Sequence, residues 1–329
     1  MTLCALLSIG AMSCGNNTSE ESKTMTEAEA LKVLDVKIHK DSKNAELYYN
    51  RAKVLLKMNR ANDAINDMVK ATSLEKDNSE YFMLLGDAYF ANGDVDHSYK
   101  AFQDAINLDE DNTEAYLKLG EIAFYSRDYD RAMENLGKVT AEDKTNLTAL
   151  FMKGFIYKET GDTNNAVYYF RRVCDLHPEY EPAFEELGTL YALHHDPMAV
   201  EYLSTAIKLE PNNTNAKYCL AMYYQEIEQV DQAEELYKQI LDIDANNKDA
   251  WHNRGYIEMF YNENYDLAIE YLTKAVQCDN RFIEAHVNRG CAYELKGDKT
   301  NAEICFRSAL EIEPGFKPAI DGLSRLEKK

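Results

Sequence analysis

The adjacent triplet His194, His195 and Asp196 offers two imidazoles and a carboxylate, donor types that bind zinc and similar cations. It falls within "LHHDPM", a turn-like stretch in which solvated loop residues are expected rather than a ligand set. Cysteine chemistry is equally thin. The seven cysteines, Cys4, Cys14, Cys174, Cys219, Cys278, Cys291 and Cys305, include no C-x-x-C pair and none of the spacings of a zinc site. The last five are odd in number, which argues against a full disulfide framework and for small buried hydrophobes on helices. No G-x-S-x-G elbow, P-loop, H-E-x-x-H or dinucleotide fingerprint occurs. The sequence therefore reads as non-enzymatic, with no catalytic residue, metal or cofactor expected.

Composition narrows the partners. Among 329 residues 45% are hydrophobic, with 14 Gly and only 6 Pro, which suits long helices and short connections. A formal charge of -21 repels phosphate backbones and sets nucleic acid aside. It favours partners that are basic or neutral and says nothing about fold.

The elements that must carry any function announce themselves by repetition. "LGDAYFANGD" begins at Leu85, and close relatives follow at Leu119, Lys153 and Leu187, each 34 residues after the last. Setting the start at Ala45 aligns eight copies: 45–78, 79–112, 113–146, 147–180, 181–213, 214–247, 248–282 and 283–316. The fifth is a residue short and the seventh a residue long, both indels falling between the helices of a pair. Large residues recur at position 4 of the copy, small ones at positions 8 and 20, and bulky ones at position 24. These spacings predict two helices per copy, with positions 4, 8 and 11 of the first facing 20, 24 and 27 of the second. Thr26 with Glu29 three residues on reads as a capping box, so residues 26–44 are expected to form an N-terminal capping helix. Residues 317–329 read as a C-terminal one.

The 34-residue period with "FMLLGDAY...SYKAFQDAINLDED" and "AFEELGTLY...AVEYLSTAIKLEP" resembles the tetratricopeptide repeat family across residues 45–316. The resemblance implies an all-α fold, a right-handed superhelical solenoid whose concave surface binds partner proteins. Positions 2, 5, 6, 9, 12 and 13 of each first helix point away from their own pair at about 100° per residue, and in the family they line that surface. The groove is thus expected to hold Tyr49, Met83, Phe90, Leu117, Phe124, Tyr125, Phe151 and Phe155, then Tyr218, Met222, Tyr256, Met259 and Phe260. Apolar and aromatic side chains there mark an interaction site, unless neighbouring helices cover them and make them core. Asn50, Asn253 and Asn288 at position 6 resemble an asparagine ladder that grips a peptide backbone, although such "NRA" and "NRG" stretches also occur in ordinary members. The carboxylate clamp of chaperone-binding members is missing: Tyr49 and Glu114 stand where it needs other residues, and only Lys118 fits.

The first residues suggest an address. "MTLCALLSIGAMSCG" is too short to span a bilayer, and "AMSC" resembles a bacterial lipobox in which Cys14 becomes the lipidated first residue. Residues 1–13 are then a signal peptide and 14–25 a lipidated cysteine with a disordered tether, reaching at most about 40 Å. Gly15 after Cys14 points to the outer membrane of a Gram-negative bacterium, and a cytoplasmic protein is the alternative, because no Lys or Arg precedes the apolar run. The expected function is a scaffold binding a peptide or helix with apolar anchors and Lys or Arg. Membrane contact is expected only through Cys14. The competing expectation is an accessory subunit of a larger envelope assembly for secretion, surface-protein insertion or cell-wall synthesis.

Overall fold

The structure, a computed structural model, describes residues 25–328. The expected signal peptide 1–13, Cys14 and its tether as far as Thr24 lie outside the described residues. Within them the fold is all-α, eighteen helices without a strand. The first, α1 (Glu27–Lys40), opens on a complete capping box: Glu29 N–H donates to the Thr26 hydroxyl while Thr26 N–H donates to the Glu29 carboxylate at 2.9 Å. Two donors that the helix start would leave unsatisfied are thereby paired.

Two kinds of helix then alternate. The first helices are α2 (Ala45–Lys57), α4 (Ser79–Ala91), α6 (Thr113–Tyr125), α8 (Leu147–Glu159), α10 (Glu181–Leu193), α12 (Thr214–Glu226), α14 (Lys248–Phe260) and α16 (Ile283–Lys296). The second helices are α3 (Ala61–Leu74), α5 (Val95–Leu108), α7 (Tyr129–Glu142), α9 (Thr163–Leu176), α11 (Met198–Leu209), α13 (Val230–Ile243), α15 (Tyr265–Cys278) and α17 (Lys299–Ile312), with α18 (Lys317–Lys328) closing the chain.

Local chemistry sets their ends. Asn44, Asn78, Asn146, Asn213 and Asn247 cap first helices, their side-chain oxygens accepting from backbone N–H groups of the first turn. Asp94, Asp128, Asp162 and Asp298 do the same for second helices. Each turn between a first and a second helix carries one left-handed residue. Gly93, Gly161 and Gly297 supply it without steric cost, whereas Asn59, Arg127, His195, Glu228 and Glu263 are held there with side chains, φ between 52° and 60°. The shortened fifth copy starts its second helix late, at Met198 behind Pro197, so α11 has 12 residues where its counterparts have 14. The extra residue of the seventh copy lengthens the turn Tyr261–Asn264.

The chain divides into two units, one ending at Ile122 and one beginning at Ala123. In the first unit Ile38, Tyr48, Ala52, Met68 and Tyr81 form a buried cluster, and Met83, Phe102, Leu119 and Ile122 form another. Position 8 decides how closely the two helices of a pair approach. A Cβ added at Gly86 would lie 2.5 Å from Phe102 Cε1, inside the contact distance of two carbons. Ser98 seals the same junction by donating to the Gly86 carbonyl at 2.9 Å.

The second unit uses the same joint with different fillers. Phe170 meets Gly154 and Phe306 meets Gly290, whereas Leu203 and Leu272 take that role at Gly188 and Gly255. One long cluster runs from Leu150 to Ile257, and a C-terminal one joins Val287, Phe306 and Ala319 of α18. Charged residues replace Leu at position 7 in some copies and are paired on the spot. Arg254 donates to Glu234 at 2.7 Å and to Tyr271 at 2.8 Å.

Candidate partner-binding face

In the first unit, position 5 of α2 places Tyr49 against Tyr81, ring centroids 5.1 Å apart, with the Lys53 ammonium 5.1 Å above the Tyr49 ring. Asn50 beside it is half-buried. Phe90 is exposed at 42%, Leu117 is half-buried, and Met83 is buried in the cluster with Phe102. Between these apolar groups stand Asp87, Glu114 and Glu121, with Lys118 reaching Glu121 at 3.7 Å. Burial raises the Asp87 carboxyl, Lys118 pulls it back, and Glu114 and Glu121 push it further up. Burial also raises Glu121, again opposed by Lys118. One ammonium serves three carboxylates, two of them short of water, which favours an incoming cation.

In the second unit the same positions are dominated by rings. Phe151 stands edge-on to Phe155, Phe170 and Tyr180 at 5.0, 5.6 and 5.1 Å. Phe124 approaches Phe155 at 6.3 Å and Tyr125 at 5.6 Å, and Tyr125 is 54% exposed. Lys158 sits 5.3 Å above Phe155 and pairs with Glu186, whose carboxyl is raised by burial and lowered in part by that lysine. Further along, the Asn253 amide donates to the Tyr218 hydroxyl at 3.1 Å and to the Met222 sulfur at 3.7 Å. The Asn288 amide lies 2.8 Å from His252 Nε2, and burial lowers the His252 imidazole below its ordinary value. Tyr256 and Phe260 pack at 4.5 Å, with Phe260 53% exposed.

Four expected groove residues are corrected by this arrangement. Met83, Phe151, Asn253 and Met259 are buried and present little side-chain surface on this face. Position 12 is shared with the following copy where Met259 packs with Ala292 and Cys291 of α16, whereas Phe151 at position 5 is covered by Tyr180, the last residue of its own copy. The asparagine expectation changes for the same reason. Asn253 and Asn288 direct their amides to the position-5 side chains of the preceding copy, Tyr218 and His252. Phe90, Tyr125 and Phe260 remain exposed, and Tyr49, Leu117, Phe124, Phe155, Tyr218, Met222 and Tyr256 are half-buried.

Sequence reasoning missed two residues of this face. Leu193, 68% exposed, and Leu295, 52% exposed, occupy position 13, the register of Tyr125 and Phe260. The signal was there in the register, but the fifth and eighth copies carry no aromatic residue at that position.

The remaining chemical candidates resolve simply. His195 occupies the left-handed turn position, with Nδ1 3.2 Å from Glu226, and no cluster of three His, Cys, Asp or Glu suited to a metal occurs among the described residues. The five described cysteines are free. Burial pushes the Cys174 thiol up to about 12 and raises Cys219, Cys291 and Cys305 as well, which leaves little thiolate. No described helix is long and apolar enough to cross a membrane.

Paired helices repeated in register, with a face of exposed apolar side chains between carboxylates, define a helical-repeat protein of the solenoid class. Models described as tetratricopeptide repeat match residues 45–78, 248–281 and 283–316, and 199–253, while the cytochrome c-type biogenesis protein H TPR domain model matches 76–184. The chain carries tetratricopeptide repeats. It is 23% identical over 303 residues to TPR repeat-containing protein MJ1428 of Methanocaldococcus jannaschii, covering 83% of this chain and 53% of that protein. It is 20% identical to the human mitochondrial import receptor subunit TOM70, over 52% of this chain and 35% of the receptor subunit. The likeness to protein O-mannosyl-transferase Tmtc3 of Drosophila melanogaster, 28% identical, spans 36% of this chain and 13% of the transferase. The chain thus spans about half or less of the curated relatives it matches. A tetratricopeptide repeat protein from Parabacteroides merdae superimposes with TM-score 0.54 at 16% identity, over 76% of this chain and 99% of that one. A chain of the APC/C hetero-tetramer Cut9-Hcn1 gives 0.51 at 18% identity, over 91% and 59%. At these identities the two structures show the fold alone.

Proposed function

We propose that the protein is a non-enzymatic scaffold whose first-helix face holds a segment of another protein, a peptide or helix with apolar anchors and Lys or Arg. The observation that carries this reading is that four of the six position-13 side chains of the second unit are exposed and apolar, Tyr125, Leu193, Phe260 and Leu295, with Glu159 and Glu226 between them. Exposed apolar groups recurring on one face of a stack are the kind of surface that marks an interaction site. The half-buried carboxylates Asp87 and Glu121 of the first unit add the preference for a basic partner. We read Cys14 as lipidated and propose the outer membrane of a Gram-negative bacterium as the address, the cytoplasm being the alternative.

The test is crosslinking in cells from a photoreactive residue at Leu193 or Leu295, which share the register of Tyr125 and Phe260, followed by identification of the trapped protein. A defined adduct lost on Tyr125→Ser with Phe260→Ser is the expected result. Retention of every partner by that variant, with helicity unchanged, would remove the reading. Lipid labelling abolished by Cys14→Ala is the separate check on the anchor.

A further inference from the structure

The outward side of α1 does not match the rest of the molecule. α1 carries three Lys against three Asp or Glu, and the wider stretch from 26 to 60 has eight Lys or Arg against five acids, in a chain whose formal charge is -21. Leu31 and Ile38 turn inward to pack in the first unit's cluster. Met25, Val33 and Val36 stand exposed at 57%, 41% and 56% on the opposite side. Lys32 and Lys40 lie four residues to either side of Val36, and Lys37 four beyond Val33, so cations and apolar groups interleave on one helix face. The side chains of Lys32, Lys37 and Lys40 have no hydrogen bond or ion pair among the described residues. Of the acids on α1, Asp35 accepts from Arg51 at 2.7 Å, Glu29 is the capping carboxylate, and Glu27 stands exposed in the first turn. The helix dipole accounts for Lys37 and Lys40 in the last turn. It does not account for Lys32 or for the exposed valines and Met25.

We propose that this face of α1 is a membrane-surface contact that binds anionic lipid headgroups. A lysine–valine surface suits a bilayer better than a protein: lysine is depleted at protein interfaces, whose anchors are aromatic residues and arginine, and this face carries neither. Lysine stems lie along apolar surface while the ammonium groups reach phosphates, and short apolar side chains enter the headgroup boundary. The acidity of the remaining copies does not prevent contact, because charges more than about 8–10 Å away are screened at physiological salt. α1 is also the described helix nearest in sequence to the apolar run that starts at Met1. The proposal does not depend on Cys14 or on the partner-binding face. It adds a second membrane contact to a lipid anchor.

The experiment uses the full chain carrying Cys14→Ala, mixed with vesicles of phosphatidylcholine alone or with equimolar phosphatidylglycerol. Sedimentation with the anionic vesicles only, reversed at about 1 M salt, is expected. Each lysine near an anionic surface contributes about fivefold, so Lys32→Glu with Lys37→Glu and Lys40→Glu should weaken partitioning by about 100-fold or more. Lys138→Glu with Lys208→Glu, exposed lysines of second helices, should leave it unchanged. A photoreactive residue at Val36 should form a lipid adduct, an outcome independent of any binding by the residues before α1. Equal binding to neutral vesicles, a triple variant that binds as tightly as the parent, or no adduct at Val36 would overturn the proposal. So would lysine-dependent self-association without vesicles, which would assign the face to a second copy.

Discussion

The two units build the same face from the same register and leave it in opposite states. In the first, Asp87, Glu114 and Glu121 share one lysine, and Phe90 stands exposed beside them. In the second, the polar groups are largely consumed by neighbours: Asn253 by Tyr218, Asn288 beside His252, Glu186 by Lys158. What stays open there is mostly apolar, Tyr125, Leu193, Phe260 and Leu295, with Glu159 and Glu226 between them. The difference teaches that a repeat position is not a role. A side chain at position 5 or 6 belongs to the interface between copies when its neighbour can reach it, and to the partner face when it cannot.

The largest expected effect tests whether each unit's stability rests on its own helix joints. Phe102→Ala empties the joint at Gly86 and Phe170→Ala the one at Gly154, each costing about 3–5 kcal/mol. Hydrogen exchange should show protection lost mainly in the unit that holds the substitution. Loss spread evenly over both by either variant would break the comparison.

Next in size is the buried pair of the second unit. Arg254→Ala leaves Glu234, whose side chain is only 16% exposed, with Lys238 alone at 3.9 Å, and should cost about 2 kcal/mol in denaturant unfolding. Lys118→Ala in the first unit, where the pair is looser and more exposed, should cost less than about 1 kcal/mol.

The acidic state of the first unit has its own signature. Because burial raises Asp87 and Glu121, the folded chain holds their protons more tightly than the unfolded chain. Their contribution is therefore most favourable below the ordinary carboxylate range and declines as pH rises through the raised values. Asp87→Asn with Glu121→Gln should be more stable than the parent at neutral pH and indistinguishable from it near about pH 3, read as melting midpoints. The same variant should weaken binding of a basic peptide. Unchanged affinity would detach these carboxylates from recognition.

The smallest effects concern the turns. Arg127→Gly and Glu228→Gly relieve a left-handed backbone and should each stabilise by about 0.5–1 kcal/mol, whereas Gly161→Ala should destabilise by a similar amount. Melting of the three single variants checks the sign.

Much of the fold was legible because its causes are local and repeated. Small residues at positions 8 and 20, a bulky residue at 24 and Asn or Asp at the caps recur every 34 residues, and each acts through its own hairpin. The capping box at Thr26 was readable for the same reason. The binding face was legible only in register. Phe90, Tyr125 and Phe260 stay exposed, but Met83, Phe151, Asn253 and Met259 do not, and Leu193 was overlooked as an ordinary leucine.

Sequence alone determined the helical pairs, their order and the sides on which apolar residues fall, since helix period and capping depend on neighbours within a few residues. Tertiary structure alone decided which of those side chains a following copy covers, which carboxylates lose water, and which amides find partners some 35 residues away. Burial is a property of two packed surfaces, and one strand of text describes each surface without saying how closely they meet.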